Sequence, residues 1–247
     1  MSRPYTSPTG CLMDHYQQIY SQRDTARRYE QLVAREDTHG NLFSALVEIA
    51  GLDGQRVVDM GAGTGRMTRT VGVMARHVYA FDQAAAMLDI AADTLTTTGL
   101  QNWLLAVASN HALPLPDACA DTTLEGWSFG HTVGWNREAW HEPMTAMLAE
   151  MQRVTRTGGT MILIEAMGTG VKTPAPPNEG LAALYEFWET QYGFQRRVIR
   201  TDYQFASVEE AVELTGFFFR DSGIAERVRA NNWDIVPECT GVWWKKA

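Results

Sequence analysis

The chain has 247 residues, 45% hydrophobic and 20% charged, a length that suits one large domain with additions and a composition too apolar for wholesale disorder. Its 29 acidic residues against 21 basic ones give a formal net charge of -8, which disfavours the clustered Lys and Arg of a broad nucleic-acid footprint. Cys11, Cys119 and Cys239 are too scattered for a disulfide framework or a zinc motif, and neither a signal peptide nor a run of ~18 apolar residues is visible, so a reducing, cytoplasmic setting is expected.

Residues 1–50 read as a helical cap. After a Pro- and Gly-bearing lead, a polar helix is predicted over 14–36, with Tyr16, Ile19, Tyr20 and Tyr29 as its main apolar groups. Such a helix is a better cover than core element. A second helix is expected over 41–50, capped by Asn41 and left through Gly51. Over 51–170 strand and helix alternate: strand 57–58, helix 64–75, strand 78–81, helix 84–97, strands 103–107 and 122–126, helix 139–155 and strand 160–166. In the last of these helices Met144, Met147, Leu148, Met151 and Val154 recur at helical spacing. The alternation predicts an α/β fold with a parallel sheet covered on both faces. Residues 171–196 read as a lid: a stiff KTPAPPN connector, then an aromatic helix over 179–192. Residues 197–247 supply a strand over 197–206, a helix over 207–220 with Ser207 and Glu210 as a capping box, and a last strand over 235–245. The sheet therefore has about seven strands.

The sharpest motif is VVDMGAGTG, residues 57–65, at the junction of the first strand and its helix. Three alternate glycines allow a tight turn and close approach of a ligand, and the helix start offers unpaired N–H groups to an anion. A dinucleotide pyrophosphate or an amino-acid carboxylate would both suit. A dinucleotide fingerprint needs a third glycine where Arg66 stands, and no Lys-Ser/Thr pair follows for a P-loop. Asp82 ends the second strand, 21 residues after Gly61, where a carboxylate can accept from both ribose hydroxyls, each bond worth about 1.5–3 kcal/mol.

With VVDMGAGTGR, FDQAAAMLDIA, ALPLPDACAD and EMQRVTRTGGTMILIE, residues 50–167 resemble the class I S-adenosylmethionine-dependent methyltransferases, in particular the small-molecule, quinone-biosynthesis-like type 11 branch. The resemblance implies a Rossmann-like seven-stranded sheet, mostly parallel with an antiparallel last strand, and helical lid additions. It implies S-adenosylmethionine as cofactor, S-adenosylhomocysteine as product and no metal. Asp59, Gly61, Ala62, Gly63 and Gly65 would then shape the methionine pocket, Asp82 would hold the ribose, and Gln83 and Met87 would flank the adenosine. Ser109, Asn110 and His111 would border the adenine, and Glu125 and Gly126 would lie beside the methionine moiety, with Glu125 pairing with its ammonium. Ser109 stands where the family usually has an acid. Its hydroxyl can accept a hydrogen bond, and Asn110 can donate or accept.

Methyl transfer can rest largely on positioning, with a base where the acceptor carries a proton. His131 and Glu165 are the candidate bases. Tyr16, Tyr20, Trp127, Trp135, Trp140, Tyr185 and Trp188 are candidates for an aromatic acceptor pocket beneath the lid, core packing being the alternative for each. Phe217-Phe218-Phe219 and Trp243-Trp244 suit either a homodimer face or buried positions. The expected function is methyl transfer to a small organic acceptor, with no nucleic-acid or membrane partner. The alternatives are a non-catalytic S-adenosylmethionine-binding sensor, or a nucleic-acid methyltransferase, which would need an N/D-P-P-Y/F motif where EGWSFG stands.

Overall fold

The computed structural model describes residues 8–135 and 138–247. Helices α1 (Pro8–Ser21), α2 (Arg23–Val33) and α3 (Asn41–Ala50) precede the sheet. They are followed by β1 (Arg56–Met60), α4 (Arg66–Gly72), β2 (His77–Asp82), α5 (Ala85–Thr97), β3 (Trp103–Val107) and β4 (Ala120–Gly126). Next come α6 (His131–Trp135), α7 (His141–Val154), β5 (Thr155–Thr169), α8 (Glu179–Thr190) and β6 (Gln195–Arg200). The chain ends with β7 (Tyr203–Gln204), α9 (Val208–Phe219), α10 (Ile224–Asn231), β8 (Ile235–Val236) and β9 (Glu238–Lys246).

Seven strands form one sheet in the order β3-β2-β1-β4-β5-β9-β6. Neighbours from β3 to β5 run parallel, and β9 enters antiparallel between β5 and β6. This is the Rossmann-like sheet with an antiparallel last strand that the motifs implied. Both faces are covered, which is why four successive β1 residues, Val57, Val58, Asp59 and Met60, are all buried. Val58 and Met60 pack with Phe81, Leu163 and the α7 methionines Met144, Met147 and Met151. Val57 points the other way, into Leu42 and Leu46 of α3, Val71 of α4, and Leu124, Ile162 and Ile164. Among the described residues no helix is long and apolar enough to cross a membrane.

Several expected elements divide. The helix over 14–36 breaks at Gln22, which is extended (φ -120°, ψ 131°). There the Thr25 hydroxyl lies 3.0 Å from the carbonyl oxygens of Gln18, Ile19 and Gln22 and closes the end of α1. Asn41 does not cap α3; the Asp37 carboxylate accepts from the backbone N–H groups of Asn41 and Leu42, each at 2.9 Å. Gly51 does end that helix in the left-handed conformation (φ 70°). The strand over 197–206 turns after Arg200, whose guanidinium reaches back to the Asp202 carboxylate. Its remainder, β7, pairs with β8 as a separate ribbon. Pro237 has no N–H to continue a ladder, and it separates β8 from β9.

The expected lid helix is also different. In α8, Tyr185 and Trp188 are 1% and 0% exposed and pack on Trp243 of β9. The helix completes the core and does not roof a pocket. Phe217 and Phe218 of α9 face the amino-terminal helices: Arg28 sits 4.6 Å over the Phe217 ring, and Phe218 meets Tyr16 and Tyr29 at 5.3 and 5.2 Å.

Candidate active site

A cavity of about 270 Å³ opens at the carboxyl ends of β1, β2, β3 and β4, the edge where open α/β sheets bind ligands. Its floor is the loop after β1. The N–H groups of Gly61 and Ala62 both donate to the Phe81 carbonyl at 2.8 Å, tying the loop to β2. Gly61 and Gly63 have φ of 73° and 54°, a region that disfavours a side chain. A Cβ on Gly61 would also lie 2.0 Å from Ser128 Oγ. Gly65 serves packing: a Cβ there would stand 3.1 Å from Ala91 of α5.

At the end of β2 the Asp82 carboxylate accepts from Gly63 N at 2.9 Å and Ala84 N at 2.8 Å, and it lines the cavity. Burial pushes its pKa up against those bonds. Gln83, Met87, Ser109, Asn110, His111, Ala62 and Gly126 line the same cavity. Asp59, Gly65 and Glu125 do not. Asp59 lies beneath the loop, fully buried, accepting from the Thr68 hydroxyl at 2.6 Å, and burial pushes its carboxyl up to about 7. Glu125 accepts from the N–H groups of Ser128, Phe129 and Ile164, so backbone donors occupy the carboxylate expected to meet a cofactor ammonium.

The roof comes from α1, α2 and α6. Tyr20, Tyr29, Trp127, His131, Thr132 and Trp135 face the cavity. His131 Nε2 lies 3.0 Å from the Tyr20 hydroxyl, and its ring stacks on Trp135 at 5.2 Å. Burial pulls the imidazole down to about 4. Tyr16 stands behind this group, touching Tyr20 and His131 without lining the cavity. Trp140 stacks on His141 at 3.8 Å and, like Tyr185 and Trp188, belongs to the core. Glu165 also lies outside the cavity; it accepts from Gly130 N at 3.0 Å, and burial pushes it up to about 7.

Three residues to which the motifs gave no place in the site, Glu30, Arg66 and Ser128, complete it. Glu30 of α2 accepts from the Thr64 hydroxyl and pairs with Arg69, clamping the cap onto the glycine loop. Arg66 pairs with Glu36 at 2.8 Å and lies 3.8 Å over the Trp127 ring. Ser128 accepts from Asn110 at 3.3 Å. The polar α2 hinted at such a role, but pairs 30 or more residues apart carry no local signal. Two cavity-lining groups hold buried polar atoms without a partner, Asn110 Oδ1 and Arg66 Nη2. An acceptor and a cationic donor beside a glycine cradle and Asp82 fit an adenosine compound bearing an amino acid. Among the described residues no group of three His, Cys, Asp or Glu could hold a metal ion.

The family model described as methyltransferase domain, of type 11, matches residues 58–163, the segment that contains the glycine loop, Asp82 and the β4 edge. This chain carries a class I S-adenosylmethionine-dependent methyltransferase domain. A malonyl-[acyl-carrier protein] O-methyltransferase of Serratia marcescens is 33% identical over 117 residues, 47% of this chain and 40% of the relative. One of Pectobacterium atrosepticum is 27% identical over 173 residues, 68% of this chain and 56% of that one. The chain thus spans about half the length of the curated relatives it matches. A solved S-adenosylmethionine-dependent methyltransferase from Aquifex aeolicus has a similar fold, with TM-score 0.54 and 19% identity over 83% of this chain and 88% of that one.

Proposed function

We propose that this protein transfers the methyl group of S-adenosylmethionine to a small organic acceptor. The observation that carries this reading is one cavity that joins the glycine loop and Asp82 to an aromatic recess containing the Tyr20–His131 pair. Asp82 has lone pairs left to accept from ribose hydroxyls, Asn110 Oδ1 can accept from an amino group, and Arg66 Nη2 can donate to a carboxylate. When bound, the cofactor supplies a methyl group activated by its sulfonium. The roof excludes water and orients the acceptor.

His131 is neutral above about pH 4 and can take a proton. In the tautomer protonated at Nδ1, Nε2 accepts from Tyr20, whose oxygen is then free to accept from an acceptor hydroxyl. That relay, and the O-methyltransferase names of the relatives, favour an oxygen acceptor. The test is formation of S-adenosylhomocysteine with a panel of hydroxyl, carboxyl and amine acceptors. Acceptor-dependent product is expected, with His131→Ala and Tyr20→Phe each lowering kcat about 100-fold or more. His131 should give a rising limb near pH 4 and none near 6.5. Cofactor binding without product across the panel would favour a non-catalytic binding module.

A further inference from the structure

Two buried carboxylates stand under the segment that follows β4. Glu125 accepts from Ser128 N at 3.0 Å, Phe129 N at 3.1 Å and Ile164 N at 3.2 Å. Glu165, within the neighbouring strand β5, accepts from Gly130 N at 3.0 Å and Ala166 N at 3.3 Å. Three consecutive N–H groups of one loop thus hang on two side chains from adjacent strands. The fit is close, since a Cβ on Gly130 would lie 2.4 Å from Glu165 Oε1. The two residues flanking these N–H groups, Trp127 and His131, both line the cavity, as Ser128 does. Trp127 does so in the left-handed region (φ 54°), a conformation that a bulky residue keeps only when its surroundings over-determine it. His131 follows Gly130 and opens α6.

We infer that Glu125 and Glu165 are positioning residues that suspend the loop after β4 by its backbone and thereby set where Trp127 and His131 stand in the cavity. The inference rests on the methyl-transfer reading only for the use made of those two side chains. The suspension itself is a property of the fold. No salt bridge reaches either carboxylate among the described residues. The titratable groups facing them are each other, Tyr185 of α8, which donates to the Ala166 carbonyl, and Tyr20 of α1. Burial beside Glu165 holds Glu125 well above the ordinary carboxylate range, and burial places Glu165 at about 7. Glu165 therefore ionises first, beside a Glu125 whose own ionisation its charge opposes. Its ionisation places a buried negative charge there with no counter-ion to offset it, which should loosen the loop.

The test is hydrogen exchange of the full chain between about pH 6 and 8, corrected for the intrinsic pH dependence of exchange, on wild type, Glu165→Gln and Glu165→Ala. In wild type, protection of the 128–131 amides should fall with rising pH. In Glu165→Gln, whose amide oxygen can still accept from Gly130, protection should persist and its pH dependence disappear. In Glu165→Ala it should be lost locally while the sheet stays protected. With an acceptor in hand, the alanine variant should lower kcat about tenfold with little change in KM for the cofactor, and the glutamine variant should restore it. Wild-type protection in Glu165→Ala, or the same pH dependence in wild type and Glu165→Gln, would overturn the inference. Should the alanine variant not fold, the glutamine comparison decides. The exchange result needs neither cofactor nor acceptor, so failure of methyl transfer leaves it standing and its failure leaves methyl transfer untouched.

Discussion

Asp59 shows how a single buried acid carries both geometry and a pH signature. Its carboxylate holds Thr68 of α4 beneath the glycine loop, and one of its oxygens has no partner. The folded protein raises its pKa to about 7, against about 4 in an unfolded chain. The native state therefore binds this proton more tightly. The stability from Asp59 is full below about pH 4 and is lost as pH rises to about 7. Asp59→Asn should remove a few kcal/mol of that slope, seen as a flatter plot of unfolding free energy against pH than wild type gives. An unchanged slope would mean that Asp59 titrates normally. Asp82, by contrast, faces the cavity, a position in keeping with its spacing from the glycine loop. The resemblance sets Glu125 against a cofactor ammonium, but its partners are the backbone N–H groups of Ser128, Phe129 and Ile164, which residue type does not reveal.

At the scale of elements, the strand ends are what the sequence made legible. The glycine loop and the end of β2 carry local signals, the family resemblance adds the segment after β3, and all three meet at one cavity. The aromatic helices were harder, because a ring suits a pocket wall and a core equally well. Only packing separates the two: Tyr20, Trp127 and Trp135 reach the cavity, whereas Trp140, Tyr185 and Trp188 interlock with the sheet. Trp188→Ala should accordingly cost about 3–5 kcal/mol of stability, read from denaturant unfolding, while S-adenosylhomocysteine affinity stays within about twofold. A variant that keeps its stability and loses ligand affinity would restore α8 to the role of a lid. The short α6 escaped sequence reading because it begins at a residue placed by carboxylates on two other strands.

Across the whole molecule, the cap is assembled from both ends of the chain. Helices α1 and α2 lie over the glycine loop, and α9, inserted before the last strand of the sheet, braces them from outside. Arg28 pairs with Glu213 at 2.9 Å and Arg35 with Glu210 at 2.6 Å across this seam. Exposed pairs of this kind contribute little energy and mainly set register; the rings of Tyr16, Tyr29 and Phe218 supply the contact area. None of these partners is near in sequence, so a polar helix that looked like a cover could be recognised without showing what it covers. The central claim is that this enclosed space holds S-adenosylmethionine and its product. Calorimetric titration of the full chain with S-adenosylhomocysteine, and separately with NAD, tests it most directly. Saturable heat with S-adenosylhomocysteine, about tenfold or more weaker in Asp82→Ala, and none with NAD, is the predicted result. Tight binding of NAD with no response to S-adenosylhomocysteine would contradict it.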